Sequence, residues 1–538
     1  MLARLRREWG SAPQARDAVD DRDAEAWEEL CGDGRDGAGI DRRTWTDLDL
    51  DGVLAAIDRT QTGLGRQILY WRMRSGIAWT DTPALEALTT RLAHDTALRE
   101  AVGVQLATGG RSLGHGFWVI ARPSLIRVRW WYWSFPLLAV AMLTSVAAVP
   151  FVPRALLAVV ALVVVNLVVR MATAWQIPGL LAPMRQMGPV IRAAERLSST
   201  LGAADEGPAA ILADVQRLRP LRRIARWVSR DPLASGEVLA AAWEYLNIMF
   251  VLDANALLLS ARYLRQLGPV LTRVARWVGE VDVALSVASL RAEPRDWTIP
   301  DRSEGPRTRV RGLWHPLVAS PVPNDAEMCP GAGAVITGAN MSGKSTYLRT
   351  VGIAAVLARA LGTCPAISWE GRAFRVRSLM GGNDDLAAGK SYYQVEADGV
   401  VGLLKEAREG DPTLFLLDEL LRGTNTIERL AAGEAVLRAL LADHGGATPH
   451  AVIVATHDGE LVSMLEGLYS PFHFCETIGP GGLSFDYRRR VGPASSRTAI
   501  ALLESTGAPK EVVEMARARA EQLDAAASRS PARGDGAS

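Results

Sequence analysis

The residues best suited to chemistry lie in Thr337–Thr346, which reads T-G-A-N-M-S-G-K-S-T. This stretch fits G-x-x-x-x-G-K-[ST], a pattern in which backbone N–H groups of a glycine-rich turn surround phosphate oxygens. In this pattern Lys344 reaches the β- and γ-phosphates of a nucleotide, and the Ser345 hydroxyl binds Mg²⁺. The residues predicted to bind ATP are Gly338, Ala339, Asn340, Met341, Ser342, Gly343, Lys344, Ser345 and Thr346.

The flanking residues decide between a phosphate-binding turn and a chance glycine-rich turn. Gly333–Ile336 reads as a short buried strand, and Tyr347–Leu361 has apolar residues at helical spacing. A strand, a turn and a helix in this order bring the positive N-terminal end of the helix to the phosphates. The sequence therefore favours the phosphate-binding interpretation.

Two later apolar stretches end in residues that could complete the chemistry. Thr413–Glu419 predicts a strand that ends in two acids, of which Asp418 would support Mg²⁺ and Glu419 would polarise the attacking water. Ala451–Asp458 predicts a third strand, and His457 at its end is placed to sense the γ-phosphate. A structural histidine is the alternative for His457. The pattern predicts ATP hydrolysis, with Glu419 and His457 catalytic and Ser345 and Asp418 at the metal.

Four segments together carry a family resemblance: G-A-N-M-S-G-K-S-T, N-D-D-L-A-A-G-K-S, L-L-D-E and A-T-H-D. They resemble the ATPase domain of the MutS family, which belongs to the ABC-type ATPases. The resemblance implies ATP and Mg²⁺ as cofactors, DNA as a partner, and a homodimer in which Ser391 contacts the nucleotide of the partner subunit. Ala339, Ser342 and Leu421 replace residues usual in the family, but none of these changes removes a phosphate- or metal-binding group.

Composition limits the alternatives only weakly. The 538 residues suggest roughly two to four domains. Lys and Arg number 60 against 59 Asp and Glu, so overall charge argues neither for nor against nucleic acid. The four cysteines lie far apart, which predicts reduced thiols without a zinc site or a disulfide framework. The charged first residues give no indication of a signal peptide.

The front of the chain departs from the family pattern. Residues 1–46 are polar and are predicted to be flexible, while Ile57–Leu69 resembles the opening of the helical core, or lever, of MutS proteins. The family's mismatch-reading domain precedes the lever and carries a Phe-x-Glu motif, and the residues before the lever here are too few and too polar to form that domain. Phe474–Glu476 is the only Phe-x-Glu in the chain and is interpreted as coincidence.

A long apolar region is foreign to the soluble members of that family. Trp130–Val149 contains no charge and opens with W-W-Y-W, and after P-F-V-P-R the stretch Ala155–Val169 has Asn166 as its one polar residue. Twenty apolar residues reach roughly 30 Å as a helix, the thickness of the hydrocarbon core. Residues 130–174 are therefore predicted to form a transmembrane hairpin, and the flanking arginines place both ends in the cytoplasm. A buried helical hairpin is the alternative, although it would normally show a polar stripe.

Further helices are predicted between the hairpin and the ATPase region. The arginines within residues 217–230 could meet DNA phosphates or lipid headgroups, or form a solvated face. Leu239–Leu259 is strongly apolar, but Glu244 and Asp253 favour a buried core helix over a third span. Near the end of the chain, Phe472–Phe474 and Leu483–Tyr487 predict a strand hairpin.

The predicted fold is an all-α MutS-like lever domain with a transmembrane hairpin, followed by an α/β P-loop (ABC-type) ATPase domain. The predicted divisions are a flexible segment 1–46, lever helices 47–129, the hairpin 130–174, further lever helices 175–300, the ATPase domain 301–490, a helical dimerisation element 491–524 and a disordered tail 525–538. The predicted protein is a DNA-binding ATPase tethered to the inner or cytoplasmic membrane, in mismatch repair or surveillance of DNA structure, whose dimer closure moves the lever. The alternative is a membrane ATPase switch that acts on a protein or lipid partner without DNA.

Overall fold

The computed structural model describes residues 1–13, 27, 39–75, 82–114, 116–117, 129–173, 177–202, 205–228, 237–303, 305, 307–339, 341–381, 392–408, 412–422, 424–442, 450–479, 482–493, 500, 504 and 507–529. The chain forms two compact units. Unit 1 comprises Met1–Gly39, Leu54–Arg295 and Ala360–Gly362, and unit 2 comprises Ile40–Val53, Asp296–Arg359 and Thr363–Ser538.

The first part of the chain is helical. Its described α-helices are α1 (Leu2–Glu8), α2 (Arg42–Asp47), α3 (Leu50–Ile57), α4 (Gly63–Arg74), α5 (Thr82–His94), α6 (Thr96–Gly109), α7 (Ser134–Ala148), α8 (Ala155–Thr173), α9 (Ile177–Leu201), α10 (Glu206–Arg217), α11 (Arg219–Val228), α12 (Glu237–Phe250) and α13 (Leu252–Arg291). The 40-residue helix α13 is the spine of unit 1, and α4, α5 and α9 pack along it.

A buried polar junction joins α13 to the segment that begins α4. The Asp282 carboxylate accepts hydrogen bonds from the Gln61 N–H at 2.9 Å and from the Thr62 N–H and hydroxyl at 2.8 and 2.6 Å. Thr62 in turn caps α4 by accepting from the Gly65 N–H at 2.9 Å. Glycine is needed at position 65 because a Cβ there would lie 2.2 Å from an Asp282 oxygen. The stretch that resembles the opening of the lever therefore starts a helix held by α13.

Helices α7 and α8 pack against each other as a helical hairpin, and its insertion in a membrane stays a prediction. With a short 3₁₀ turn at Trp130–Trp133 before α7, the described chain holds two helices, Trp130–Ala148 and Ala155–Ala172, that are long and apolar enough to cross a membrane. Large apolar side chains of both helices are exposed, among them Leu137 at 71% and Leu157 at 73%. Such exposure is unusual for a packed core.

The apolar stretch Leu239–Leu259 differs from the predicted single core helix. Helix α12 ends at Phe250, Val251 adopts a left-handed conformation with φ of 48°, and α13 starts at Leu252. Tyr245 and Leu259 are exposed. The prediction of one buried core helix is therefore wrong, because the backbone breaks at Val251 and part of the apolar surface faces outward.

Unit 2 contains two sheets. The described strands are β1 (Thr308–Leu313), β2 (Asn324–Met328), β3 (Gly333–Thr337), β4 (Ser368–Glu370), β5 (Arg375–Met380), β6 (Thr413–Asp418), β7 (Ala451–Ala455), β8 (Tyr469–Gly479) and β9 (Gly482–Val491). A three-stranded antiparallel sheet has the order β2-β1-β4. A six-stranded sheet has the order β5-β6-β7-β3-β8-β9 and is parallel except for β9. The strands predicted at β3, β6 and β7 and the terminal hairpin are confirmed.

Helices pack on this larger sheet and bury its apolar strands. They are α14 (Lys344–Leu361), α15 (Tyr392–Glu406), α16 (Thr426–Leu441) and α17 (Gly459–Met464), while the final helix, α18 (Lys510–Arg529), is mostly exposed. One core cluster unites Val335, Phe415 and Val454 of the strands with Leu437 of α16. Strands buried on both faces are typical of parallel sheets and explain the continuous apolar runs in the sequence. Helix α18 continues past residue 524, where the dimerisation element was predicted to end.

The prediction that residues 1–46 form a flexible segment is wrong for residues 40–46, and also for Leu2–Glu8, the helix α1 whose Arg6 pairs with Glu100 at 2.6 Å. Helix α2 packs against β5, where Asp47 accepts hydrogen bonds from the Ser378 hydroxyl at 2.6 Å and the Met380 N–H at 3.0 Å. Trp45 is buried in the same contact region. This polar-looking segment is thus a structural part of unit 2 because its few apolar and acceptor groups meet a strand end.

Candidate functional site

The predicted site residues meet at the carboxyl ends of three neighbouring parallel strands. In the sheet register Asp418 of β6 pairs with Ala455 of β7, and Ala455 pairs with Ile336 of β3. The turn after β3, the acids after β6 and the histidine after β7 therefore leave the sheet at one edge. Ligands of open α/β sheets bind at such an edge.

The turn between β3 and α14 has the backbone of an anion cradle. Gly338 and Gly343 have φ values of 142° and 106°, a backbone conformation that residues other than glycine rarely adopt. The Lys344 ammonium donates to the carbonyl oxygens of Gly338 and Ala339 at 2.7 and 2.9 Å, so it lies over the turn. Burial lowers the pKa of Lys344, while the Glu419 and Asp418 carboxylates act in the opposite direction. A cation held over such a turn is suited to a phosphate.

The oxygen atoms of Ser345 and Asp418 fit a magnesium site. The Ser345 hydroxyl donates to Asp418 Oδ2 at 2.5 Å. Asp418 Oδ1 is buried and has no hydrogen-bond partner among the described residues. Hydroxyl and carboxylate oxygens are ligands that Mg²⁺ accepts, and this ion commonly completes its shell with water and substrate phosphate oxygens. The described residues contain no group of three or more His, Cys, Asp and Glu side chains placed to bind a metal, so any ion here would need those further ligands.

Glu419 and His457 lie side by side at the same edge. Glu419 Oε1 is 3.3 Å from His457 Nδ1, and the Glu419 side chain is only 11% exposed. The Glu419 N–H donates to the Ala455 carbonyl at 2.9 Å, and its φ of 54° turns the side chain out of the strand direction. The sequence predicted both residues to be catalytic because each follows the end of a strand, and the structure brings them together.

An arginine that the sequence did not single out holds the other oxygen of Glu419. Arg422 Nη2 is 2.6 Å from Glu419 Oε2, and the arginine is partly exposed. The indication of this ion pair in the sequence is that Arg422 follows Glu419 by three residues.

The remaining predicted residues are divided between the site and its surroundings. Ser342 is buried in the turn, whereas Met341 is 83% exposed and Thr346 is also exposed. Asn340 and Ser391 lie outside the described residues, so the predicted contact of Ser391 with a partner's nucleotide stays a prediction.

A cavity of about 270 Å³ adjoins the start of α14 and was not predicted. Its lining includes Gly343, Thr346, Val322, Phe474 and Tyr487. Aromatic and aliphatic groups beside a phosphate cradle can receive a planar base. The sequence does not predict this cavity directly, because its lining residues come from stretches that are far apart in the chain.

Tyr487 is positioned in this cavity by its backbone. Its φ is 53°, and its carbonyl accepts from the Asn324 side-chain amide at 2.9 Å. The Asn324 amide oxygen also accepts from the Arg489 N–H at 2.7 Å. His315 also lines this cavity, and burial lowers its pKa to about 4, so this ring is neutral near pH 7.

Two arginines of the basic stretch within residues 217–230 form ion pairs, whereas Arg219 and Arg223 are exposed. Arg222 contacts Glu195 at 2.9 Å, and Arg217 contacts Asp214 at 3.4 Å. Leu218 and Leu221 are buried beneath them. The side chains of Arg226 and Arg230 lie outside the described residues.

Residues 334–524 match the family model described as MutS domain V. The chain is 38% identical over 271 residues to DNA mismatch repair protein MutS 2 of Halobacterium salinarum, covering 49% of this chain and 30% of that relative. It is also 38% identical over 258 residues to DNA mismatch repair protein MutS of Thermus caldophilus, covering 47% and 30%. The protein of the same name from a Roseiflexus species is 32% identical over 283 residues, covering 50% and 26%. The chain thus spans less than a third of the length of these curated relatives.

Proposed function

The chain belongs to the MutS family through its domain V, and on this premise we propose that it binds and hydrolyses ATP. The main support for this proposal is the arrangement at the carboxyl ends of the parallel strands. There Ser345 contacts Asp418 at 2.5 Å, and Glu419 lies 3.3 Å from His457. A phosphate cradle, an oxygen donor pair for a metal and a carboxylate base together suit phosphoryl transfer to water.

Each residue has a distinct task in this proposal. The N–H groups of the turn and the Lys344 ammonium bind the phosphates, and Ser345 and Asp418 would hold Mg²⁺. When bound, Mg²⁺ neutralises phosphate charge as it develops in the transition state. Glu419 orients the attacking water and accepts its proton, and His457 donates toward the terminal phosphate. Because Arg422 occupies one oxygen of Glu419 at 2.6 Å, full activity requires this ion pair to loosen.

We further propose that the protein acts on DNA as a homodimer. The support is that the relatives are named DNA mismatch repair proteins. In the dimer, Ser391 of each subunit would contact the nucleotide of the other, and dimer closure on ATP would move the helical lever. Mismatch repair and surveillance of branched DNA are both compatible with this proposal, and the chain spans about 30% of the length of the two relatives named first.

Membrane tethering through residues 130–174 is the third part of the proposal. Its support is the length and composition of Trp130–Ala148 and Ala155–Ala172, together with the exposed apolar side chains of both helices. The two spans would lie in the inner or cytoplasmic membrane. The parts of the chain before and after the hairpin would both lie on the cytoplasmic side.

A second candidate function uses the membrane without DNA. It would be an ATP-driven switch whose hairpin acts on a protein or lipid partner. The same exposed hairpin favours it, because the relatives match about half of this chain and the matched family model, residues 334–524, does not include the hairpin. Affinity for DNA distinguishes the two candidates.

The test is ATP turnover by the detergent-purified protein with homoduplex, mismatched or branched DNA and without DNA. Glu419→Gln should lower turnover by at least about 100-fold, because the base that orients water is lost, while ATP binding remains. Glu428→Gln, in the first turn of α16, is the matched control and should retain turnover. Stimulation that depends on DNA structure supports the DNA proposal. Turnover that is lost in Glu419→Gln and indifferent to every DNA contradicts it and favours the membrane switch.

A further inference from the structure

We propose that α12 is a re-entrant membrane element, which enters the lipid beside the hairpin and turns at an elbow centred on Val251. The proposal rests on the proposed membrane tether and extends it from two elements to three. The occupant of the exposed surface of α12 would be lipid at the boundary between headgroups and acyl chains.

Two polar contacts fix α12 against α8. Arg170 pairs with Glu244, and the Asn166 amide donates to the Met249 carbonyl at 2.6 Å. Asn166 is fully buried, although α8 is apolar apart from Asn166, Arg170 and Thr173. A side-chain amide within an apolar helix is costly unless it has a partner, and here the partner belongs to α12.

The order of these contacts gives the direction and depth of α12. Helix α8 ends at Thr173, on the proposed cytoplasmic side, so Asn166 lies deeper along it than Arg170. With a rise of 1.5 Å per residue, Asn166 is about 10 Å from the end of α8. Since Glu244 meets Arg170 and Met249 meets Asn166, α12 descends toward the membrane interior and its tip reaches roughly this depth.

The elbow is held by side chains that satisfy the broken backbone. Val251 has φ of 48° and ψ of 46°, and the chain direction bends by 66° between the two helices. Asn247 accepts from the Asp253 N–H at 3.0 Å and donates to its carboxylate at 2.5 Å. Asn255 donates to the Phe135 carbonyl at 3.3 Å and to the Phe250 carbonyl at 3.1 Å.

These bonds place the elbow beside the beginning of α7, which is the same end of the hairpin as the end of α8. A helix break at membrane depth is tolerated only where protein groups satisfy the freed N–H and C=O groups. The Asn247, Asp253 and Asn255 side chains meet that requirement.

The outer surface of α12 suits lipid better than water. Tyr245 is 70% exposed and Leu246 is 44% exposed, and Leu259 at the start of α13 is 49% exposed. This surface continues that of the hairpin, where Val168 and Met171 are 59% and 68% exposed. Tyrosine is enriched at the membrane interface. Helix α12 has 14 residues and would be about 21 Å long, which is too short for a complete span.

The experiment measures depth in the intact protein reconstituted into phosphatidylcholine vesicles. A small fluorescent amino acid is incorporated at Leu246, at Val164 in the middle of α8, or at the exposed Arg217 of α10. Quenching is compared between lipids that carry a nitroxide near the headgroup and lipids that carry it near the chain end. We expect stronger shallow than deep quenching at Leu246, stronger deep quenching at Val164, and little of either at Arg217.

The possible failures are distinguishable. If Leu246 behaves like Arg217 while Val164 is quenched, the re-entrant proposal is overturned and the tether is retained. If deep quenching dominates at Leu246, α12 belongs to a third span and the proposal is again overturned. An unquenched Val164 overturns the tether itself and, with it, this inference.

A variant then tests the contact that positions α12. Asn166→Ala removes the bond to the Met249 carbonyl and should cause a loss of shallow quenching at Leu246 without changing deep quenching at Val164. Thr144→Ala is the matched control, because the Thr144 hydroxyl bonds only within α7 among the described residues. Equal quenching at Leu246 in both variants would contradict the role given to Asn166.

Discussion

At the scale of single residues, Tyr487 offers the most direct test of how the site selects a nucleotide. Its ring borders a cavity of about 270 Å³ that also touches Gly343 and Thr346 at the start of α14. Stacking of a base on an aromatic ring contributes about 1–3 kcal/mol. We therefore expect Tyr487→Ala to raise the Kd for ATP by roughly tenfold or more. Binding of a fluorescent ATP analogue, measured by titration and by competition with unlabelled ATP, checks this result.

Two comparisons separate stacking from damage to the fold. Tyr487→Phe keeps the ring and should keep ATP affinity near that of the unchanged protein. Inorganic tripolyphosphate has no base, so its affinity should be the same with Tyr487→Ala as without it. If the alanine variant loses affinity for tripolyphosphate as well, the residue supports the phosphate turn instead of the base.

The site residues differ in how far the sequence could predict them. Lys344, Ser345, Asp418 and Glu419 lie in short motifs whose spacing fixes their relation to one strand end. Tyr487 and Val322 meet the turn only because β8, β9 and the segment before β2 return to it. Such contacts depend on tertiary packing, which spacing along the chain does not encode.

At the scale of elements, the junction between α4 and α13 should make the lever sensitive to pH. Asp282 is fully buried, and burial raises its pKa from the ordinary 3.8 to about 6. Between these values the native junction binds a proton that the unfolded chain has lost. The stabilisation by this group is therefore complete below about pH 4 and is lost as pH rises through about 6, a change of about 3 kcal/mol.

Hydrogen exchange of the Gln61 and Thr62 amides measures this directly, because both donate to Asp282. After correction for intrinsic exchange rates, we expect their protection to fall between pH 4 and pH 7. Asp282→Asn should remove this pH dependence, whereas Asp95→Asn, at the exposed cap of α6, should retain it. The same pH dependence in Asp282→Asn and the unchanged protein would contradict the assignment.

Helices and strands were predictable from the sequence where a continuous apolar stretch coincides with the whole element. Strands β3, β6 and β7 are continuous apolar runs, and α7 and α8 are apolar all round, so local sequence was sufficient. Helix α2 was not predictable as part of unit 2, because Asp47 finds its partner Ser378 331 residues along the chain. The elbow at Val251 was missed for a related reason, since nothing in the apolar run marks a left-handed residue.

At the scale of the whole molecule, the proposal requires nucleotide bound in unit 2 to affect unit 1. The chain passes between the units after residues 39, 53 and 295, among other places, so several covalent connections are available. A ligand that binds one state of a protein stabilises it by an amount set by its concentration relative to Kd, about 2.7 kcal/mol at 100 times Kd. Movement of the lever needs part of that free energy to reach α4 and α13.

Hydrogen exchange measures whether nucleotide binding in unit 2 affects unit 1. The full-length Glu419→Gln variant is compared in detergent without nucleotide and when saturated with ATP and Mg²⁺. We expect protection to increase in β3, β6 and β7, because the phosphates and the metal would be bound at their ends, and to change around Gln61 and Thr62 as well. Lys344→Ala should abolish both changes, since it removes the cation that lies over the turn. A change confined to unit 2, residues 40–53, 296–359 and 363–538, would retain nucleotide binding and contradict a lever moved by ATP, because unit 1 would then gain none of the binding free energy.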